Sequence, residues 1–409
     1  MEAVTAPSGR LRILDALRHR DFRLLWSGQA VSLLGDMAFL TALAWRTFTL
    51  AGSSRLGVVL LCNGGAMLAT LLVGGVLADR YERRRMMIFS DVWRFGAVGA
   101  LAAVDAMGHL SFPILVGLAV LVGLGDGFFY PAVGGIVPLV VEQPALASAN
   151  SLLGVARWGS VMVGPSLAAL TYHSGGPSVV FAFNAGTFLV SAALISLARP
   201  RPIETATREG TLREIREGAR YVARIPWLWV TIALFSVVLT LQYASQQVLL
   251  PKLVHQHFHR GVGAYGLLVT FLGVGTVLGT LAFGQLQPRR RRGVVAYAVW
   301  LVNSLAIVGV ALSPWFGLAA GFAALRGACL AFGVAIWETM LQELVPERLL
   351  ARVVSLDFFG TFGLTPIGLA IWAAIADIAP PGALIASGAG VSCVLIALVL
   401  TRPWLWEVD

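Results

Sequence analysis

Three charged side chains stand deep inside long apolar runs: Asp36 in Leu24–Thr47, Arg157 in Ala149–Tyr172 and Arg326 in Trp315–Trp337. A charge at the centre of a bilayer costs about 2.5–3.5 kcal/mol on insertion scales, so each needs a reason to be there. Asp36 lies roughly 18 Å from Leu24 at the helical rise of about 1.5 Å per residue. A carboxyl at that depth can discharge itself by taking a proton, which is what proton coupling requires. Arg157 lies about 12 Å into its run and Arg326 about 16 Å into its own. A guanidinium keeps its proton, so each of these needs an anion, a carbonyl or water. Gln29 and Asn63, with Gln242, Tyr243, Gln246 and Gln247, could line a shared cavity; the alternative is polar contact between helices.

A second set of charges gathers near one end of the runs. Gly75-x-x-x-Asp79-Arg80-x-x-Arg83-Arg84 joins the run Leu56–Ala78 to the run Met86–Met107. Asp91 and Arg94 are three residues apart and share a helix face. Together with Asp126 they are expected toward the same side, as gating charges. Glu338 is read as an interfacial or gating charge at the end of its run. Arginines alone can set topology, but topology does not require the acids that accompany them. Gly159, Gly164 and Pro165 are expected to support close helix packing.

These residues need long hydrophobic elements to carry them, and the composition supplies them. Of 409 residues, 57% are hydrophobic and only 12% charged, against about 25% charged in soluble domains. The chain is therefore a membrane protein. Its net charge of +9 comes from basic residues clustered in short segments between apolar runs, the positive-inside pattern, and nucleic acid is excluded as a partner. Lys252 is the sole lysine, so there is no phosphate-binding Gly-x-x-x-x-Gly-Lys loop. Neither a His-Glu-x-x-His nor a Gly-x-Ser-x-Gly motif occurs. The chain is not read as an enzyme, no cofactor or metal is expected, and an ion gradient is left as the energy source. Cys62, Cys329 and Cys393 read as small core residues. His255, His257 and His259 read as loop histidines.

Twelve runs are long enough to span a bilayer of about 20 apolar residues: Leu24–Thr47, Leu56–Ala78, Met86–Met107, Phe112–Val133, Ala149–Tyr172, Ser178–Leu197, Leu228–Leu250, Ala264–Leu286, Gly293–Leu312, Trp315–Trp337, Val353–Ile375 and Gly382–Leu400. The arginine distribution puts both termini in the cytoplasm. Residues 199–225 are the one long polar connection. Within it an amphipathic helix is expected from Thr211, with Leu212, Ile215, Ala219 and Val222 on one face. Gly57, Gly64 and Gly75 match Gly266, Gly273 and Gly284 at one constant offset, and both sets end in an arginine cluster. The expected organisation is a six-helix half over 1–198, a cytoplasmic linker over 199–225 and a second six-helix half over 226–409.

At these residues the chain resembles the major facilitator superfamily. Gly75 to Arg84 is similar to its signature between spans two and three, with Glu82 where the signature prefers glycine. Gly159, Gly164 and Pro165 are similar to the Gly-Pro signature of its antiporters. Asp21 to Trp26, Phe129-Tyr130-Pro131-Ala132, Leu146 to Ser151 and Phe183-Asn184-Ala185 resemble the macrolide-efflux and enterobactin-exporter-like branch of drug antiporters. The resemblance implies an all-α fold of twelve transmembrane helices in two pseudo-symmetric halves, alternating access, and Asp79 meeting the start of span eleven across the halves. It makes spans one and five neighbours, so Asp36–Arg157 becomes a candidate pair, either a proton or substrate site or a structural ion pair. The function implied is proton-coupled efflux of a small amphipathic molecule by a monomer in a bacterial inner membrane; a non-transporting sensor or assembly partner is the alternative. Asp36→Asn is expected to abolish gradient-driven export, measured as flux at normal expression. Normal export by that variant would contradict the proton role.

Overall fold

The computed structural model describes residues 12–80, 82–142, 145–201, 211–286, 288 and 290–406. Of residues 72–80, which include Gly75, Asp79 and Arg80, it describes the backbone only. A short 3-10 turn (Arg12–Arg18) leads into α1 (Arg20–Ala51), α2 (Ser53–Arg80), α3 (Arg83–Ala106), α4 (Phe112–Val140), α5 (Leu146–Leu197), α6 (Thr211–Arg224) and α7 (Pro226–Gln256). There follow α8 (Val262–Leu286), α9 (Arg292–Leu312), α10 (Phe316–Leu344), α11 (Glu347–Gly363), α12 (Thr365–Ile375), α13 (Pro381–Leu400) and α14 (Pro403–Trp406). Proline stands in the first turn of α4, α7, α12 and α13. It costs no hydrogen bond there, because those first N–H groups have no intrahelical partner.

Among the described residues, nine helices are long and apolar enough to cross a membrane. One of them, α5, is two crossings, since Gly176 (φ 75°) and Pro177 turn the chain back midway. The charged α1 is a further crossing, and α11 with α12 forms a broken one interrupted at Leu364. The fold is all-α, with twelve transmembrane helices in two six-helix, pseudo-symmetric halves.

Successive crossings put the helix ends on two faces. The terminal face holds the start of α1, the α2–α3 turn, the end of α10 and the end of α13. The opposite face holds the α1–α2, α3–α4, α7–α8 and α12–α13 connections. The halves join at the opposite face. Trp45 of α1 stacks on Tyr265 of α8, with ring centroids 6.0 Å apart, and His255 of α7 packs edge-on against Phe48 at 5.7 Å. One buried cluster there combines Ala44, Trp45 and Leu56 with Val248, Leu253, Leu369 and Trp372. Polar groups add to it: Ser54 Oγ donates to Asp377 (2.7 Å), and Lys252 Nζ donates to Asp377 (2.7 Å) and to the Ala376 carbonyl (2.8 Å). The hydrogen bonds from Lys252 and Ser54 hold the Asp377 carboxyl below its ordinary range. At the terminal face each cluster belongs to one half. Phe22, Met87, Phe129, Ile136 and Leu152 form one; Leu228, Leu341, Val345, Leu349 and Val353 form another. Helix α6 lies on the second of these through Tyr221 and Val222.

Glycines let specific helices approach. A Cβ on Gly164 would fall 2.5 Å from Met37 of α1, whereas Gly159, expected to pack likewise, meets nothing within 4 Å. The Pro165 carbonyl seats against Gly266 of α8. Helices α8 and α10 cross most closely, where Cβ atoms on Gly275 and Gly279 would fall 1.9 Å and 2.1 Å from the carbonyls of Ala324 and Ala328. Gly275→Ala should therefore force the backbones apart and cost about 1–3 kcal/mol of stability. Gly64→Ala, at a position with nothing within 4 Å, should stay within about 0.5 kcal/mol. Thermal unfolding of both variants in detergent checks the contrast.

Candidate functional site

Arg94 of α3 is the largest side chain in the fully buried core. Three carboxylates from three helices surround its guanidinium: Asp91 of α3 through a short hydrogen bond to Nη2, Asp126 of α4 at 3.1 Å and Asp36 of α1 at 3.9 Å. Its Cζ lies over two phenyl rings, 4.1 Å from the Phe129 centroid and 4.2 Å from that of Phe188. Such stacking favours arginine, whose planar cation sits well on an aromatic face. Asn184 is within side-chain reach of Asp36, and Ser191 of Asp91.

The local sequence makes room for this cluster. Two of its acids follow glycine, Gly35-Asp36 and Gly125-Asp126. A Cβ on Gly125 would fall 2.6 Å from the Arg94 stem, and one on Gly35 would fall 2.3 Å from Thr187 Oγ1. Beside the cluster, Ser90 of α3 donates to the Gly125 carbonyl (2.7 Å), which fixes α3 against α4. Asp36, Arg94 and Asp126 lie midway along their helices, roughly 16–24 Å from the helix ends at about 1.5 Å per residue, and Asp91 lies about 12 Å from the start of α3.

This placement corrects two sequence expectations. Asp36 pairs with Arg94 and not with Arg157, because Asp36 and Arg94 project into the same interior of the first half. Arg94 and Asp126, expected toward the same side as the α2–α3 turn, sit at mid-depth with Asp36, since Arg94 is three turns into α3; Asp91, about 12 Å from the start of α3, stays nearer that side. Arg157 is exposed between the halves. Its electrostatic neighbours are Tyr130 of α4, also exposed, and Glu338 of α10. Among the described residues no carboxylate lies within 4 Å of Arg157. Glu338 in turn faces Asp357 of α11, which accepts a 3.0 Å hydrogen bond from Trp337.

In the second half, Arg326 lies midway along α10 with Tyr243 of α7 as its electrostatic neighbour. The Tyr243 hydroxyl accepts from Gln247 Nε2 (2.7 Å). Gln242 differs from its expected cavity position: it is 2% exposed and links α7 to α9 through Ser304 (2.7 Å) and Asn303 (3.0 Å). Gln246 is buried against its own helix. Gln29 is buried and its Nε2 has no partner. Asn63 donates to the Ala119 carbonyl (2.9 Å), holding α2 on α4. At the terminal face, Arg83 bonds the Gly135 carbonyl of α4 and Arg84 the Ala198 carbonyl at the end of α5 (2.6 Å). Arg83 and Arg84 of the signature thus brace the first half internally. The side chains of Gly75, Asp79 and Arg80 lie outside the described residues, as does the expected contact of Asp79 with span eleven.

Known proteins agree with this architecture. A family model described as transmembrane secretion effector matches residues 13–408. The enterobactin exporter EntS of Escherichia coli is 31% identical over 357 residues, covering 85% of this chain and 83% of the exporter. The fold is shared with the inward-facing crystal structure of a bacterial homologue of the iron transporter ferroportin (TM-score 0.74, 16% identity, 94% and 99% of the two chains). It is shared also with the nucleoside transporter NupG in its D323A form (TM-score 0.75, 11% identity, 93% and 100%).

Removing the cation should expose how the cluster is held. Arg94→Met leaves three buried carboxylates without their partner, and breaking a buried pair in this way costs about 3–5 kcal/mol. The loss should be greatest at neutral pH and smaller in acid, where protons replace the missing positive charge. Thermal unfolding across pH checks both the size and the sign.

Proposed function

We propose that this chain, which belongs to the transmembrane secretion effector family of the major facilitator superfamily, exports a small amphipathic molecule in exchange for protons. That it is a multi-pass membrane transporter and not an enzyme follows from the family and from its exporter relative. The exchange rests chiefly on one observation: three carboxylates share one guanidinium at mid-depth, a surplus of two negative charges when all are ionised. Proton uptake discharges that surplus, and an intramembrane carboxylate cluster with no second cation is suited to load and release protons. Asp36 and Asp126 are the acids for this role, being the partly accessible ones, with side chains 25% and 22% exposed, while Asp91 is fully buried.

Alternating access is supported by the unequal contact between the halves. They share a buried core at the opposite face and have separate cores at the terminal face. With the arginine-rich terminal face in the cytoplasm of a bacterial cell, the side on which the halves keep separate cores faces inward. The division falls as 1–198, a linker over 199–225 that carries α6, and 226–409. Arg157 of the first half and Glu338 of the second are opposite charges facing one another on that side without an ion pair. Rocking of the halves brings them together when the cytoplasmic side closes, while Ser54 of the first half parts from Asp377 of the second on the other side. The molecule acts as a monomer, with each half supplying one wall.

The relative's substrate supplies the first assay. In proteoliposomes, enterobactin and a macrolide are offered with and without an imposed pH gradient. A gradient of one pH unit should sustain about a tenfold substrate ratio per proton exchanged, and an ionophore should collapse it. Equal flux with and without the gradient contradicts proton exchange; no flux of either compound favours a non-transporting membrane sensor or assembly partner.

A further inference from the structure

Two intramembrane arginines, Arg94 and Arg326, are treated differently by this fold. Arg94 has three carboxylates and two phenyl rings around it. Arg326 has no carboxylate within ion-pairing distance among the described residues, and its Nε is buried without a hydrogen-bond acceptor. A guanidinium stays charged at such a depth and requires an anion or water. The group that influences it is Tyr243, which is 42% exposed and carries Gln247 on its hydroxyl. Arg326 lies about 15 Å along α10 from Phe316, and Tyr243 about 20 Å along α7 from Gln256, so both sit near mid-depth.

We propose that Arg326, with the Tyr243 hydroxyl beside it, is the binding site for a negatively charged group of the transported molecule: a carboxylate, a phosphate or an ionised phenol. The inference rests on the transport reading and names its substrate class as amphipathic anions. The missing counter-ion is then brought by the ligand. A planar guanidinium binds such oxygens through two parallel charge-assisted bonds, and Tyr243 adds a neutral donor. The acid surplus around Arg94, in the opposite half, repels the same charge and directs that end of the ligand to α10. Each half thus has its own task, protons on the first and the anionic group on the second.

A matched pair of probes tests this without a gradient, so the result is independent of whether flux is proton-driven. Salicylate and salicylamide have nearly the same size and differ in charge. Equilibrium dialysis against the full chain in phosphatidylcholine nanodiscs should show salicylate bound about tenfold or more tightly than salicylamide. Arg326→Gln should bring the ratio close to unity with salicylamide binding unchanged, Arg326→Lys should keep part of the preference, and Tyr243→Phe should lower it by less. Repeating the titration in nanodiscs containing phosphatidylglycerol separates the sources of the anion. Competition that disappears in Arg326→Gln identifies a lipid phosphate as an occupant, and its absence identifies soluble anions. The proposal is overturned if Arg326→Gln keeps the full preference, if it weakens both probes equally, or if the wild-type chain binds neither probe or does not prefer salicylate. Should Arg326→Gln fail to fold, Arg326→Lys and Tyr243→Phe carry the same comparison.

Discussion

The burial of one guanidinium among three carboxylates is the constraint on which the first half depends. Arg94 draws α1, α3 and α4 together through Asp36, Asp91 and Asp126, and its two stacked rings add α4 and the second limb of α5. Hydrophobic burial contributes little to association of helices in lipid, so packing and polar contacts must hold them. The cluster supplies those contacts at mid-depth, and its excess of acid leaves it incompletely neutralised. One arrangement therefore joins four helices and, in the proposed exchange, is where protons load.

The second half is held by different means. Several of its polar contacts inside the bundle are neutral, as in the Gln242–Ser304–Asn303 link between α7 and α9 and the Thr231–Tyr297 contact at 2.8 Å, while its ion pairs Lys252–Asp377 and Arg292–Glu343 lie at the helix ends. Its helices approach through glycine against backbone, as at Gly275 and Gly279. Arg326 stands apart from both kinds of contact. Between the halves, aromatic stacking and the Ser54–Asp377 hydrogen bond close one side, while each half keeps its own core on the other. A joint strong at one side and divided at the other is what two rocking bodies require.

Much of the architecture was legible in the sequence because hydrophobic length and arginine placement are one-dimensional signals. The twelve crossings appear as apolar runs, and the break near Gly175-Gly176 falls between two of them. The helix begun at Thr211 also appears where the charge pattern put it, and its Tyr221 and Val222 face a core. Pairing was less legible. Asp36 and Arg157 each stand out as lone charges, but which partner each takes depends on helix rotation, which the spacing of apolar residues in a hydrophobic-all-round helix does not fix. The partner of Asp36 came from Arg94, whose three-residue separation from Asp91 was readable while its depth was not. The glycines before Asp36 and Asp126 were a usable sign that helices crowd at those acids. Phe188 carried no such sign, since one more phenylalanine in an apolar run is unremarked, and the motif around Phe129 did not indicate a contact with Arg94. Gln242 shows the converse, a polar residue whose place between α7 and α9 only three dimensions reveal.

The account stands on the Arg94 cluster carrying exchangeable protons. Infrared difference spectroscopy of the full chain, recorded as pH is stepped across the neutral range, observes carboxyl groups directly. A protonated-carboxyl band that appears as pH falls and is lost in Asp36→Asn or Asp126→Asn is the predicted result. A spectrum with no such band, or one unchanged in both variants, would contradict it.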